Sequence, residues 1–218
     1  MGYYIGTGDD NLSFLTIAVG TSNFDGVVTY SHGAAWAQMV NNINSWIINQ
    51  GYNWQVGAAG ASNMEIGFNT PTVTRSWVNG YDSANNYVLY NFGDAQGCPT
   101  YRTYGANGYC DLNWYQEDIW FISWGSPPAR PLPLIYATGG ANANQWYSLS
   151  AYSFDAHGST MHIWGSVTQY QACLQRGGCS GIDNTPEQGY IQLDNALNSD
   201  PDTAQWVNWS TDMKWYGE

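Results

Sequence analysis

Strand-like segments alternate with amphipathic helix-like segments along most of this sequence. The apolar run at residues 14–19 ends at a glycine and a polar loop, which predicts a buried strand. Ser31 is a candidate N-cap for a helix whose apolar residues recur every three or four positions as far as Ile47. Strands separated by helices pair in parallel, because the chain must cross over between them. The alternation therefore predicts an α/β fold.

The pattern continues to the end of the chain. Further helices are predicted from Thr70, over residues 141–151, and from Thr185, where Thr-Pro-Glu-Gln is a capping box. Five further strands are predicted, at residues 55–61, 87–90, 118–124, 134–136 and 161–167.

A closed (β/α) barrel has eight strands and about 250 residues, whereas this chain has 218 and only six predicted strands. We predict one domain over residues 1–218, a (β/α) TIM-type barrel that is incomplete or shortened at its N-terminus. Residues 1–10 are then the end of a strand–helix unit that is otherwise missing from the barrel. An open barrel leaves unpaired strand edges, so we expect a second copy of the chain to cover the gap as a homo-oligomer.

The low charge of the chain excludes several functions. Charged residues make up 10% of the sequence, and 17 acids against 5 bases give a net charge of −12. Nucleic acid is excluded as a partner because there is no basic surface to contact phosphates. An anionic membrane surface is excluded as a partner for the same reason. The sequence also contains no run of about 18 apolar residues, the length that a helix needs to span a bilayer.

The cysteines indicate an oxidising compartment. Cys98, Cys110, Cys173 and Cys179 form two close pairs in the sequence. Four cysteines allow three connectivities, of which we prefer the pairing of neighbours because it closes two modest loops; four buried thiols are the alternative. Disulfides and a single lysine favour a secreted, extracellular protein. No signal peptide is visible, so we expect any leader to have been removed.

Glu65 is the best candidate for a catalytic residue. It is the only one of four glutamates near the end of a predicted strand, where barrel enzymes carry their catalytic groups. Asn63 lies two residues earlier, so both side chains point to the same side of the strand. The alternative is a structural carboxylate paired with a nearby arginine such as Arg75.

Two aspartates follow neighbouring predicted strands. Asp94 follows the third strand and Asp25 the first, which would bring three carboxylates to one end of the sheet. Glycoside hydrolysis needs two carboxyl groups, an acid and a base or nucleophile. The alternative for each aspartate is a turn-forming or capping role.

Polar and aromatic side chains near the same strand ends are candidates for substrate binding. Aromatic residues make up 16% of the chain and could stack against sugar rings, although packing in the core is the alternative for each of them. The predicted substrate-binding residues are Asn23, Asn63, Trp124, Trp164 and Tyr136.

Other chemistries have no sequence support. There is no G-x-S-x-G nucleophile motif, phosphate-binding loop or dinucleotide motif. His157 and His162 lie five residues apart on either side of a glycine, which is a poor metal-binding pattern. We therefore expect no metal and no cofactor.

Several stretches together resemble secreted bacterial glycoside-hydrolase-like (β/α)-barrel proteins, distantly similar to family-25 lysozyme-type barrels. These are residues 18–23, 31–36, 63–65, 91–99 and 134–136. Barrel lysozymes carry Asp-x-Glu at a strand end, and Asn63-Met64-Glu65 occupies the similar position here. The resemblance implies that Glu65 is the acid, whereas its usual aspartate partner is replaced by asparagine.

These observations together predict an extracellular glycoside hydrolase that cleaves a polysaccharide by a two-carboxylate mechanism. Glu65 is the expected general acid/base and Asp94 the second carboxylate. The alternative is a non-catalytic carbohydrate-binding (β/α)-barrel protein, which the asparagine at position 63 favours.

Overall fold

The computed structural model describes residues 14–26, 28–84 and 87–215. The strands are β1 (Leu15–Ser22), β2 (Val56–Asn63), β3 (Leu89–Asn91), β4 (Ala129–Pro131), β5 (Ser166–Thr168) and β6 (Ser210–Asp212). The helices are α1 (Tyr30–Asn49), α2 (Pro71–Ser83), α3 (Gln116–Trp120), α4 (Ala141–His157), α5 (Tyr170–Gln175) and α6 (Pro186–Leu197). A 3₁₀ turn, Asp111–Asn113, precedes α3, and a π-helical turn, Phe121–Gly125, follows it. The predicted end of a missing unit at residues 1–10 lies outside the described residues.

All strands pair in parallel, which confirms the predicted α/β class. A four-stranded sheet has the order β1-β2-β3-β4, and a second sheet pairs β5 with β6. A parallel bridge between Leu134 and Val167 links the two sheets, since the chain after β4 continues alongside β5. The strands thus follow one another in chain order. Among the described residues, no backbone hydrogen bond joins β6 back to β1, so a closed barrel is not observed.

Helix α1 is fixed by its cap and by one polar anchor. The Thr29 side chain accepts a hydrogen bond from the His32 amide, so the N-cap lies two residues before the predicted cap, Ser31. The buried Asn44 side chain donates to the Ala58 carbonyl at 2.8 Å and accepts from the Ala58 amide at 2.9 Å. These two bonds hold α1 in register on β2.

The contact between α1 and α2 depends on glycine. A Cβ atom at Gly33 would lie 2.0 Å from the Trp77 carbonyl oxygen, and one at Gly80 would lie 2.0 Å from the Tyr30 carbonyl oxygen. The two backbones therefore touch where the first turn of α1 meets the second half of α2.

Strand β1 differs from the expected buried strand. It forms one edge of the sheet, and in the described part of the chain most of its side chains are exposed; Ile17 is 52% exposed. The central strand β2 is the buried one, and its small residues let helices pack closely on it. The expected self-association through an open edge stays a prediction.

The middle of the chain contains one wrong prediction. Residues 118–124 form the end of α3 and the π-helical turn rather than a strand. The buried side chains Gln116, Ile119 and Ser123 recur every three or four residues, which is helical spacing. Strand β4 instead forms at Ala129–Pro131, between the segments predicted as strands at residues 118–124 and 134–136.

Both predicted disulfides are present, Cys98–Cys110 and Cys173–Cys179. They indicate an oxidising environment. The first closes the loop that follows β3 and is buried at both cysteines. Within the described residues, every helix is too short or too polar to cross a bilayer.

Candidate active site

The carboxyl ends of β1, β2 and β3 place three polar residues together. Asn23 follows β1, Glu65 follows β2 and Asp94 follows β3. Parallel strands deliver the residues that follow them to one edge of the sheet. The hydrogen bonds described below show that these loops are in contact.

Asn23 fixes the backbone at Glu65. Its side-chain amide donates to the Glu65 carbonyl at 3.0 Å and to the Thr74 hydroxyl at 3.0 Å, and its oxygen accepts from the Glu65 amide at 3.0 Å. The side chain is 2% exposed. Asn23 therefore positions Glu65 and has little surface with which to touch a substrate, in contrast to the expected binding role.

Asn63 acts on the Glu65 side chain. Its amide nitrogen donates to Glu65 Oε1 at 2.7 Å, as their two-residue spacing allows. The Asn63 Oδ1 atom is buried and has no hydrogen-bond partner among the described residues. Arg75 instead pairs with Asp118 at 2.9 Å, so the alternative pairing of Glu65 with Arg75 is wrong.

Asp94 lies at the bottom of the site and is 4% exposed. Gly93 brings it there, because a Cβ atom at Gly93 would collide with the Met64 backbone. Its Oδ1 accepts a hydrogen bond from the Ile66 amide at 3.2 Å. Burial raises the pKa of Asp94 to about 6, and the charge of Glu65 adds to this, whereas backbone hydrogen bonds from Ile66 and Gln96 oppose it.

Tyr136 completes the cluster from the chain after β4. Burial raises the pKa of its hydroxyl to about 12, and the negative charges of Asp94 and Glu65 contribute. Asn184 holds the Tyr136 backbone: its amide donates to the Tyr136 carbonyl at 3.1 Å, and its side chain donates to the carbonyls on either side, Ile135 and Ala137.

Sequence reasoning missed two supporting residues, Thr74 and Asn184. Thr74 lies in the first turn of α2, directly after the predicted Thr-Pro helix start. Asn184 immediately precedes the capping box of α6. Both are buried polar residues next to a helix start, and that placement is the only sequence signal they carry.

Asp25 is not brought into the cluster. It is exposed, has a positive φ of 73°, and its carboxylate accepts a hydrogen bond from the neighbouring Gly26 amide. The charges that act on Asp94 and Tyr136 do not include Asp25. The turn-forming alternative fits this geometry.

Trp124 and Trp164 also lie away from the carboxylates. Trp124 precedes β4 and Trp164 precedes β5, so both are near the amino ends of the strands. The site residues follow strands and lie at the opposite edge. In the part of the chain that the structure describes, no three His, Cys, Asp or Glu side chains could hold a metal ion together.

Comparisons with known protein families, with curated proteins and with solved structures find no match to this chain. The resemblance to glycoside-hydrolase-like barrels therefore stays a prediction. The geometry of the site determines what it can do. The carboxyl groups of Glu65 and Asp94 and the phenol of Tyr136 lie close enough for their charges to interact. Hydrogen bonds with Asn23 fix the backbone at Glu65.

Asn23→Ala is expected to lower the free energy of unfolding by about 1–3 kcal/mol, because it leaves the part-buried Glu65 amide and carbonyl and the buried Thr74 hydroxyl without their partner. Urea unfolding followed by fluorescence measures this loss. Asn195→Ala is the matched control, since Asn195 is exposed on α6. Equal midpoints for the two variants would contradict the positioning role of Asn23.

Proposed function

We propose that this chain is an extracellular glycoside hydrolase with an incomplete (β/α)-barrel fold, which cleaves a polysaccharide with Glu65 and Asp94. The observation that carries the proposal is the juxtaposition of a partly exposed Glu65 with a buried Asp94 whose pKa is raised to about 6. Two carboxyl groups in different environments are what acid and base roles require.

The surroundings of the two carboxyl groups favour the opposite roles from those that the sequence predicted, where Glu65 was the expected acid and Asp94 the second carboxylate. Below pH 6 Asp94 keeps its proton, so it is the general acid that protonates the leaving oxygen of the glycosidic bond. Glu65 is partly exposed and accepts a hydrogen bond from the Asn63 amide, so it is left as the second carboxyl group, the base or nucleophile.

Tyr136 supports a binding role next to these groups. Its pKa is raised to about 12, so it stays protonated at neutral pH and can donate a hydrogen bond to a sugar hydroxyl or to Glu65. The disulfides and the low charge of the chain suit an extracellular protein that binds a glycan with an uncharged main chain. The reaction needs only water as co-reactant, so the proposal requires no cofactor.

The second candidate function is carbohydrate binding without catalysis. The observation that favours it is the enclosure of Asp94, whose carboxylate accepts backbone hydrogen bonds from Ile66 and Gln96. In that function the Asp94 carboxylate joins the loops after β2 and β3 and takes no part in a reaction.

One experiment separates the two functions. The purified protein is run in native gels that contain soluble xylan, β-glucan or a chitin derivative, and the same polymers are assayed for released reducing ends at pH 5. Hydrolysis predicts release from at least one polymer, whereas binding alone predicts retardation without release. Neither retardation nor release would overturn both functions.

A further inference from the structure

A second candidate site lies at the amino ends of the strands. Trp124, Arg130, His162, Trp164, Trp206 and Asn208 line a cleft with a volume of about 470 Å³, which we call the amino-end cleft. Its size falls in the range of ligand-binding pockets. The cleft shares no lining residue with the Glu65–Asp94 site.

Two aromatic rings of the amino-end cleft are open to solvent, and one of them, Trp164, is held by its neighbours. Trp206 is 76% exposed and Trp164 is 41% exposed. The Trp164 backbone is held by its amide donating to Pro131 and by its carbonyl accepting from Asn208, and its ring contacts Tyr90 edge-on with centroids 6.4 Å apart. Exposed indole faces carry partial negative charge and attract the C–H groups of a sugar ring.

Arg130 gives this cleft its charge. Its guanidinium lies 5.3 Å from the ring centroid of Trp124, and its Nη1 donates to the carbonyls of Pro127 and Ala129. Among the described residues, no carboxylate lies within salt-bridge distance of Arg130, and its other N–H groups have no acceptor. The cleft lining contains no acidic residue either. In a chain of net charge −12, this is an isolated positive site.

Two of the other arginines, unlike Arg130, are paired with carboxylates. Arg75 pairs with Asp118, and Arg102 contacts Asp155, Asp200 and Asp202. Arg130 is thus held by backbone carbonyls and a tryptophan face, which fix its position without neutralising its charge. A carboxylate ligand could therefore form a charge-assisted hydrogen bond with its free N–H groups.

We propose that the amino-end cleft binds a glycan that carries isolated uronic acid groups, with Trp206 and Trp164 against the sugar rings and Arg130 on the carboxylate. A densely charged polyanion is disfavoured, because the net negative charge of the protein repels it. The amino-end cleft would hold a sparsely acidic polymer at one end of the sheet. The main chain of that polymer would remain free to reach the Glu65–Asp94 site. The binding itself does not require that Glu65 and Asp94 are catalytic.

The test compares a xylan bearing glucuronic acid groups with the same polymer after reduction of its carboxyl groups to alcohols. Affinity gel electrophoresis at low salt is expected to give at least about tenfold tighter retention on the acidic polymer, because only that polymer offers Arg130 a carboxylate for a charge-assisted hydrogen bond. Trp206→Ala should weaken retention on both polymers. Arg130→Gln should abolish only the preference for the acidic one.

The controls isolate the cleft from the rest of the molecule. Trp54→Ala removes a comparably exposed indole, and Arg176→Gln removes an equal charge beside another tryptophan, Trp215. Neither should change retention. Equal retention of wild type on the two polymers, or wild-type retention by both cleft variants, would overturn the proposal. Retention by Glu65→Gln without hydrolysis would separate this site from the proposed reaction.

Discussion

Replacement of Glu65 by glutamine is expected to reduce polysaccharide hydrolysis by about 10²–10⁴-fold, the usual contribution of a positioned acid or base. The amide cannot ionise, so it can neither activate water nor attack the anomeric carbon. The Asn63 contact to Oε1 and the backbone bonds from Asn23 can persist, so the stability of the fold should change little. Initial rates at pH 5 on the polymer that the wild type cleaves measure the loss.

Glu187→Gln is the matched control, because Glu187 is exposed in the first turn of α6. It should retain the wild-type rate. Urea unfolding of both variants shows whether any loss of activity reflects misfolding. Full activity of a folded Glu65→Gln protein would refute the assignment of Glu65, and it would leave the binding function as the better description.

Asp94→Asn is expected to remove both activity and a specific pH dependence of stability. The folded-state pKa of Asp94 is raised from 3.8 to about 6, so the folded protein binds this proton more tightly than the unfolded chain. The associated stabilisation is fully present below pH 3.8 and is lost as the pH rises through 6. The rise of about two units in the pKa of Asp94 corresponds to a change of about 3 kcal/mol in the free energy of unfolding.

Unfolding free energies of wild type and Asp94→Asn should therefore be compared at pH 4, 5, 6, 7 and 8. Relative to the variant, the wild type should lose stability over this range. The difference between the proteins is the relevant quantity, because Asp200, with a lowered pKa, contributes in the opposite direction in both. A constant difference from pH 4 to 8 would show that Asp94 does not hold its proton in this window.

The same residue should control the pH–rate profile. Wild-type hydrolysis is expected to decline as the pH rises through about 6, because the acid loses its proton; the apparent value belongs to the interacting Glu65–Asp94 pair. Asp94→Asn should hydrolyse at least about 10²-fold more slowly at pH 5. An active variant with the wild-type profile would assign Asp94 a purely structural role.

Much of the strand and helix order could be predicted from local patterns. Thr70-Pro71 and Thr185-Pro186 mark helix starts that the structure contains, because cap and Pro act within one turn. Residues 118–124 could not be assigned in this way, since a short apolar run is compatible with either a strand or a buried helix. Strand β4 was hidden by its prolines, and its flanking residues complete the pairing with β3: the Leu132 amide donates to the Asn91 carbonyl, and the Pro128 carbonyl accepts from the Leu89 amide.

The candidate site was also predicted only in part, because local sequence patterns do not show contacts between distant segments. Strand ends pointed to Glu65 and Asp94, because parallel strands finish at one edge. The positions of Thr74 and Asn184 depend on contacts between segments that are 51 residues apart for Asn23–Thr74 and 49 apart for Ile135–Asn184. The proton-holding role of Asp94 depends on burial in three dimensions, which strand spacing does not report.

The buried disulfide Cys98–Cys110 determines how this protein must be produced. It closes a loop that begins four residues after Asp94, and a closure of this length stabilises a fold by about 3 kcal/mol. A chain synthesised in a reducing cytosol would carry two thiols there, and the segment that follows Asp94 would lose its covalent restraint. Enzymatic inactivity of such material would report the redox state of its host, so expression should use a compartment that forms disulfides.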